Sequence, residues 1–189
     1  MFITLGTGVG GGIIVGGKLL TGVNDSAGEL GHMVIEVDGR ECACGRRGCW
    51  ERYASATAII QSAKEMVQND NTSLLHELSK SNIDAIDGQM IFEAFAAGDL
   101  PVKQIVDNYI KYLAAGILNI INMLEPEMIC IGGGISNAWE HIESPLKKII
   151  DDEKYLRFSP NSPQTQIVKA KLGNDAGIIG AALLGVSGG

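Results

Sequence analysis

Three cysteines and one histidine are spaced in a way that is typical of a zinc site. Cys42, Cys44 and Cys49 lie within eight residues of one another, and His32 precedes the first of them by ten. Thiolate sulfur and imidazole nitrogen are the ligands that zinc takes in closed tetrahedral sites. Because four protein ligands leave no position for water, the pattern predicts a structural Zn²⁺ in a loop that spans residues 32–51.

Other uses of these cysteines fit the sequence less well. Cys42 and Cys44 are too close along the chain for a relaxed disulfide, and three cysteines leave one unpaired. A redox pair more often has the spacing Cys-x-x-Cys. A nucleic-acid-binding zinc knuckle is accompanied by a basic surface, whereas this chain has a net charge of −7. We therefore prefer the zinc interpretation.

Two glutamates flank the predicted metal loop. Glu29 lies three residues before His32, so the two side chains share one face if residues 26–31 form a helical turn. Glu51 follows Cys49 by two residues, and a bound metal would hold it near His32. Two carboxylates and an imidazole suit hydrogen bonding to a polyhydroxylated ligand. The alternative is that both glutamates are simply exposed to solvent, as most glutamates are.

Glycine-rich segments follow two predicted strands. Residues 2–5 form a strand that leads into Gly6-Thr7-Gly8-Val9-Gly10-Gly11-Gly12, the first turn of a predicted β-meander whose third run begins at Lys18. Backbone N–H groups in such a turn can bind phosphate oxygens. The segment lacks the Gly-Lys-Ser/Thr of a Walker A motif and the helix that follows a dinucleotide fingerprint. By itself it therefore fits a simple tight turn as well.

The second glycine-rich segment is Gly132-Gly133-Gly134. It follows a predicted apolar strand over residues 128–131, and a predicted helix begins at about residue 136. A buried strand, a glycine turn and a helix in this order are typical of a ligand-binding edge in an α/β domain.

The rest of the chain alternates between helical and strand patterns. Helices are predicted over residues 55–68, 89–97, 101–124 and 136–152, the last with Pro145 as a kink or restart. Further strands are predicted over residues 33–37 and 165–170, and Asp175 is predicted to cap a final helix over residues 176–184. Cys130 is predicted to be buried and His141 to be exposed. The pattern predicts an α/β fold in a single domain or lobe.

Composition limits the class of protein. Hydrophobic residues make up 46% of the chain, no apolar run reaches the length of a membrane span, and no leader is visible. Free thiols beside a metal site are typical of a reducing compartment, so we expect the protein to be cytoplasmic. The acidic net charge argues against nucleic acid or an anionic membrane surface as a partner.

Taken together, these motifs resemble the ROK family, named for repressors, open reading frames and kinases, in the actin, sugar-kinase and Hsp70 fold group. The resemblance extends from residues 5–12 to residues 172–177. Its most specific part combines Ala27-Gly28-Glu29-Leu30-Gly31-His32 with Cys42-Ala-Cys44-Gly-Arg-Arg-Gly-Cys49-Trp-Glu51. The resemblance implies an actin-like, ribonuclease H-like lobe over residues 1–187, with a mixed β-sheet flanked by helices and a zinc-binding loop.

The resemblance also implies a role for each motif. The structural Zn²⁺ would be held by His32, Cys42, Cys44 and Cys49. Sugar hydroxyls would be bound by Gly8, Glu29, His32 and Glu51. The phosphates of ATP, which is bound together with Mg²⁺, would contact Gly6, Thr7 and Gly8. The adenosine would be flanked by Gly132, Gly133 and Gly134. His32 would use one ring nitrogen for zinc and present the rest of the ring to the sugar.

One part of the family's kinases is missing from the sequence. Those kinases begin with a smaller lobe that carries an Asp-x-Gly-x-Thr phosphate motif and an Asn-Asp pair whose aspartate is the general base. Asn24-Asp25 is such a dipeptide, but it lies between the glycine-rich meander and Glu29, so we do not transfer the role to it. We interpret residues 1–187 as the large C-terminal lobe of a longer protein, without the small N-terminal lobe and without a catalytic base of its own.

The favoured hypothesis is therefore an ATP-dependent, glucokinase-like hexose kinase that phosphorylates the 6-hydroxyl, is inactive as this lobe alone, and forms a homodimer. The alternative is the ligand-sensing domain of a ROK transcriptional repressor with a separate helix-turn-helix. A zinc-stabilised binding module without chemistry is a third hypothesis. The intact glycine turn favours the kinase, because a pure sensor does not need a phosphate cradle. The sequence does not distinguish glucose from other hexoses.

Overall fold

A mixed four-stranded sheet forms the centre of the computed structural model, which describes residues 1–155, 164–173, 176 and 179–180. The strands are β1 (Phe2–Leu5), β2 (Val9–Gly12), β3 (Ile14–Val15), β4 (Lys18–Leu19), β5 (Met128–Gly132) and β6 (Gln166–Lys169). The central sheet has the order β2-β1-β5-β6, in which β1 pairs antiparallel with β2 and parallel with β5, and β5 pairs parallel with β6. This arrangement confirms the predicted mixed sheet.

Helices pack around this sheet. They are α1 (Glu51–Ala54), α2 (Ala56–Asn69), α3 (Leu75–Leu78), α4 (Gly88–Ala96), α5 (Leu100–Leu124) and α6 (Trp139–Glu153). Three of them begin where a short polar side chain accepts a hydrogen bond from a first-turn amide: Ser55 for α2, Asp87 for α4 and Asp99 for α5. The predicted helices 55–68, 89–97 and 101–124 are therefore confirmed to within about two residues.

One buried cluster joins the strands of the sheet to the helices. Its strand residues Ile3, Leu5, Ile129 and Ile131 are completely buried, as are Val106 and Leu113 of α5. Cys130 is half-buried rather than buried as predicted, because it alternates with Ile129 and Ile131 and faces the other side of β5. Among the described residues, no helix is both long and apolar enough to cross a membrane.

Several predicted elements differ from the structure. The third run of the meander pairs only with β3, so that β3 and β4 form a hairpin separate from the central sheet. The helix predicted from residue 136 begins as a 3₁₀ turn over Gly134–Ala138 and becomes α-helical at Trp139, and Pro145 lies inside it without a restart. The helix predicted over residues 176–184 with Asp175 as its cap lies outside the residues that the structure describes.

The strand predicted over residues 33–37 is wrong. Only Val34 makes a β-bridge, to Cys49, while the amides of Ile35 and Glu36 both donate to the carbonyl of Gly48. The chain then turns at Asp38, which has a left-handed φ of 59°. Of its apolar side chains, Met33 and Ile35 pack against the core, whereas Val37 is exposed.

Candidate functional site

The turn that carries Glu29 and His32 crosses β2 at the distance of direct backbone contact. A Cβ atom on Gly31 would overlap the carbonyl oxygen of Val9, and one on Gly28 would lie 2.9 Å from the carbonyl oxygen of Gly11. Gly28 also has a φ of +92°, which side chains rarely adopt. The two glycines therefore let this turn lie directly on the sheet, which fixes the residues between and after them.

Glu29 and His32 lie close together at the end of this turn. Within the predicted helical turn only the 3₁₀ segment Leu30–His32 forms, but it is enough to bring Glu29 Oε2 to 3.9 Å from His32 Nε2. The other ring nitrogen, Nδ1, points to the opposite side and lies 3.7 Å from the sulfur of Cys42. His32 thus presents one nitrogen to the cysteines and the other to Glu29.

The four predicted metal ligands come together in one cluster. One ligand atom from each of His32, Cys42, Cys44 and Cys49 lies within 4.8 Å of all the others. The sulfurs of Cys44 and Cys49 are 3.6 Å apart, and Cys42 Sγ is 3.7 Å from His32 Nδ1. In a tetrahedron with the usual zinc bond lengths, two sulfurs lie about 3.8 Å apart and a sulfur and a nitrogen about 3.6 Å apart. The donor set and its spacing therefore fit a zinc ion.

Two glycines give the cysteine loop its shape. Gly45 and Gly48 both have positive φ angles, of +85° and +75°. A Cβ atom on Gly48 would overlap the carbonyl oxygen of Glu36, whereas one on Gly45 would meet no atom within 4 Å. The turn is closed by the amide of Gly45, which donates to Cys42 O at 3.0 Å. This turn brings the sulfurs of the loop back to the segment that carries Cys49.

The pKa values of the three thiols in the cluster are shifted in different directions. Burial raises the pKa of Cys42 to about 12, and the adjacent Glu51 carboxylate acts in the same direction, against a lowering by the Cys44 amide. Burial also raises the pKa of Cys49, while the backbone amide of Arg46 lowers the pKa of Cys44. Binding of a dication by thiolates at this cluster must therefore release protons.

Glu51 lies beside the cluster, at the first position of α1. Its Oε1 accepts a hydrogen bond from the Cys42 thiol at 3.0 Å and is 3.7 Å from His32 Nδ1. Its Oε2 faces Gly8, where a Cβ atom would lie only 2.6 Å away. The structure thus brings together all four residues that the family resemblance assigns to a sugar: Gly8, Glu29, His32 and Glu51.

The first glycine-rich turn is bonded to the same part of the structure. It connects β1 to β2 through residues 6–8, and the amide of Gly6 donates to Gly8 O at 3.0 Å. The amide of Ala56, the first residue of α2, donates to Gly6 O at 2.8 Å. Thr7 is exposed at the tip of the turn. The turn and the carboxylate of Glu51 are therefore held in one place.

The second glycine-rich turn lies against the first. Gly133 has a φ of +86° and a ψ of 178°, and a Cβ atom on it would lie 2.5 Å from the carbonyl oxygen of Leu5, which immediately precedes Gly6. Gly134 is exposed, with no atom near the position of a Cβ. Since β1 and β5 are parallel neighbours, their carboxyl ends meet at one edge of the sheet.

A groove of about 700 Å³ extends from Gly134 between α2, α4 and α6. Its apolar surface includes Ile60, Phe92 and Ile135, and its carboxylates belong to Asp87, Glu93 and Glu140. None of the described residues that line it is a lysine or an arginine. The sequence did not predict this groove, because its residues come from distant helices and share no motif.

His141, which also lines this groove, is half-buried rather than exposed as predicted. Its ring stacks on Phe92 with the centroids 6.0 Å apart and meets the edge of Phe95 at 5.6 Å. The prediction was wrong because α6 packs this face of the helix against α4, a contact that the pattern of α6 alone does not reveal.

The family is decided by comparison with known proteins. The model of the ROK family matches residues 1–187. The chain belongs to the ROK family. It is 41% identical over 180 residues to a glucokinase of Thermotoga maritima, an alignment that covers 95% of this chain and 56% of the relative. The chain thus spans about half the length of the curated relatives that it matches.

Two solved structures show the same fold. A ROK family glucokinase from Streptomyces griseus, in complex with glucose and AMPPNP, is 36% identical and superposes with a TM-score of 0.86, covering 97% of this chain and 59% of that one. A ROK family transcriptional regulator, homologous to the E. coli MLC protein, is 31% identical with a TM-score of 0.78 and covers 97% and 44%. The fold is therefore shared by kinases and regulators of the family.

Proposed function

We propose that residues 1–187 are the large lobe of an ATP-dependent hexose kinase of the glucokinase type. The observation that carries this proposal is the contact between the first glycine-rich turn and the sugar-site carboxylate, in which Gly8 lies directly against Glu51 Oε2. Phosphoryl transfer requires the acceptor hydroxyl to lie beside the bound phosphates. The similarity to the T. maritima glucokinase supports the same function.

Glu29, His32 and Glu51 bind hydroxyl groups of the hexose in this proposal. Ionised carboxylates accept hydrogen bonds from hydroxyls, and each such bond to a charged group contributes about 1.5–3 kcal/mol. The Nε2 side of His32 faces Glu29, so both contact the same end of the sugar. Gly8 lies against the Oε2 side of Glu51, where the absence of a side chain leaves room for the carboxylate.

The nucleotide lies along the meeting edge of β1 and β5. Gly6, Thr7 and Gly8 contact the phosphates through backbone amides and one hydroxyl, and Gly132, Gly133 and Gly134 flank the adenosine. The groove beyond Gly134 accepts the base, since it combines apolar side chains with carboxylates that can accept hydrogen bonds from an exocyclic amino group. Mg²⁺ bound with ATP neutralises the charge of the transferring group.

The transfer itself needs a group that this lobe does not supply. The 6-hydroxyl of the hexose loses its proton as it attacks the γ-phosphoryl group, and we expect the general base to be an aspartate of the second lobe. Asp25 is not a candidate in this proposal, because it lies in an exposed turn that precedes the segment with Glu29 and His32. No residue of this chain is therefore assigned as catalytic, and residues 1–189 provide the binding surfaces.

A coupled assay with ATP, Mg²⁺ and glucose tests the proposal. The full-length protein should phosphorylate glucose, and the chain of residues 1–189 should be slower by at least about 10²-fold, because a positioned base alone contributes about 10²–10⁴-fold. Full-length protein without turnover of any hexose would contradict the kinase assignment. If the short chain reached about one tenth of the full-length rate, it would contain a base, and Asp25→Asn would be the next variant.

Zinc is the second part of the proposal. We propose that His32 Nδ1 and the sulfurs of Cys42, Cys44 and Cys49 hold a structural Zn²⁺, which closes the loop without contacting substrate. Metal analysis of chain washed free of loosely bound ions should return about one equivalent of zinc. Cys44→Ser should lose the ion and Cys130→Ser, the matched control outside the cluster, should keep it. Folded protein with free thiols and no zinc would exclude the site.

A ligand-sensing domain of a ROK repressor is the second candidate function, and the similarity to the ROK transcriptional regulator supports it. A sensor needs the sugar site but does not need the nucleotide edge. Sugar binding without nucleotide binding or phosphorylation, together with sugar-dependent binding of operator DNA by the full-length protein, would favour this function over the kinase.

We further propose that the full-length protein is a cytoplasmic homodimer. The family resemblance is the reason for the dimer, and the reduced thiols of the cluster are the reason for the compartment. Light scattering should return twice the mass of the monomer, and a monomer at high protein concentration would contradict the dimer.

A further inference from the structure

Glu51 has a support that does not depend on the metal. We propose that one face of α5, formed by Tyr109, Tyr112 and Gly116, is a seat that fixes residues 50–54 and with them the carboxylate of Glu51. Trp50, whose side chain packs on this seat, is the residue that positions Glu51. The importance of the seat for sugar binding rests on the proposed function of Glu51, but the existence of the seat does not.

The contact between Trp50 and Gly116 is the closest part of the seat. Trp50 is completely buried, and a Cβ atom on Gly116 would overlap its indole ring. The indole Nε1 donates to the carbonyl oxygen of Tyr112 at 2.8 Å. Glycine is the poorest helix former apart from proline. The presence of Gly116 in the interior of the 25-residue α5 is explained by the space that the indole of Trp50 needs.

Two tyrosines extend the seat along α5. Residues 109, 112 and 116 are three and four positions apart and therefore share one face of the helix. The buried hydroxyl of Tyr109 donates to Ala54 O at 2.9 Å, and burial raises the pKa of Tyr109. The ring of Tyr112 packs on Tyr53 with the centroids 4.5 Å apart. Residues at both ends of α1 are thus attached to α5.

The tip of the cysteine loop has a weaker support, an exposed bond of 3.3 Å from the side chain of Arg46 to the carbonyl oxygen of His32. Its backbone bonds connect the loop to itself, with the amide of Cys42 donating to Arg46 O and the amide of Gly48 to Arg40 O. Cys44, near the tip, is exposed. The metal therefore orders the tip and its link to His32, whereas the seat orders Glu51. The seat also reaches the base of the loop, where the Tyr112 hydroxyl donates to Glu36 and the side chain of Arg40 donates to the carbonyl of Arg52.

Hydrogen exchange of the zinc-loaded chain, before and after removal of the metal with a chelator, tests the seat without any substitution. The amides of Cys42, Gly45 and Gly48 should exchange at least about tenfold faster after chelation, whereas those of residues 52–55 should change by less than about threefold. Equal acceleration in both segments would overturn the proposal, because Glu51 would then depend on the metal. Loss of protection throughout α5 would overturn it as well.

A pair of substitutions in α5 tests the seat from the other side. Gly116→Ala should accelerate exchange of residues 52–55 at least about tenfold with zinc still bound. Asn119→Ala is the matched control, since it places the same residue on the exposed side of the same helix and should leave these amides unchanged. If Gly116→Ala does not fold, Tyr109→Phe removes only the bond to Ala54 and should accelerate the amides next to it. Unchanged exchange in these variants would overturn the proposal.

Steady-state kinetics of the full-length protein separate a positioning role from general destabilisation. Gly116→Ala should raise the KM for the hexose at least about tenfold and change the KM for ATP by less than about twofold. Equal changes in both constants would show a merely structural effect and would contradict the positioning role of Trp50. A full-length protein that phosphorylates no hexose would refute the proposed function, while the exchange experiment would still decide the seat.

Discussion

The two glycine-rich turns have similar composition but need their glycines for different reasons. Each lies at the end of one of two parallel strands and contains a glycine with free space around it, Gly6 or Gly134. Each also contains a glycine whose Cβ atom would overlap its surroundings; in the second turn Gly132 is crowded as well, by the side chain of Phe2. In the first turn the glycine without space is Gly8, whose neighbour is the carboxylate of Glu51. In the second it is Gly133, whose neighbour is the backbone of Leu5 in the core. One glycine therefore lies against the candidate site, and the other lies against the backbone of the core.

Gly133→Ala should have the largest effect on folding. The residue occupies a backbone region that is nearly restricted to glycine, and its Cβ atom would meet main-chain atoms that cannot rotate away. Strain of this kind costs about 1–3 kcal/mol, and the overlap with Leu5 adds to it. Urea unfolding should show a loss of about 3 kcal/mol or more. A loss below about 0.5 kcal/mol would contradict the packing role of this glycine.

Gly8→Ala should destabilise the fold less than Gly133→Ala does, but it should clearly weaken hexose binding. The atom that a methyl group would meet is the end of the Glu51 side chain, which can rotate, so the fold should lose less than about 1 kcal/mol. The displaced carboxylate should no longer bind the sugar, which weakens hexose affinity by about 1.5–3 kcal/mol. Gly6→Ala is the control, because no atom lies near its Cβ position. Equal hexose affinity of the two variants would contradict the contact.

Gly134→Ala should have the smallest effect. The residue is exposed, has free space around it and lies in a 3₁₀ turn. The free energy of unfolding, measured with urea, should therefore change by less than about 0.5 kcal/mol. If the adenosine lies against this turn, the added methyl group obstructs one contact with it. The affinity for ATP should then fall by about tenfold or less, while the affinity for the hexose stays unchanged. Calorimetry with both ligands measures this difference. Weakened hexose binding with unchanged ATP binding would reverse the two assignments.

The sequence predicts the parts of this molecule that depend on neighbours along the chain. The helix start at Ser55 follows from local capping, and the cysteine cluster follows from ligand spacing. The strand expected over residues 33–37 failed because its amides bond to Gly48 rather than to a neighbouring strand. Apolar periodicity does not show where backbone hydrogen bonds go.

Contacts between distant residues are the part that the sequence does not predict. Trp50 and Gly116 are separated by more than sixty positions along the chain. Nothing in the sequence pattern of α5 shows that Gly116 is there to make room for an indole ring. The groove beyond Gly134 and the burial of His141 have the same cause, since both depend on how α4 and α6 pack. A pattern in one helix shows which face is buried, but it does not show the partner.

Hexose binding to the full-length protein with and without Glu51 tests the central claim most directly. The claim is that the carboxylate of Glu51, which lies against Gly8, binds the sugar. Titration calorimetry of Glu51→Ala should show hexose affinity weakened by at least about tenfold, equivalent to the loss of one hydrogen bond to a charged group, while ATP affinity changes by less than about twofold. Hexose affinity equal to that of the unmodified protein would contradict the account.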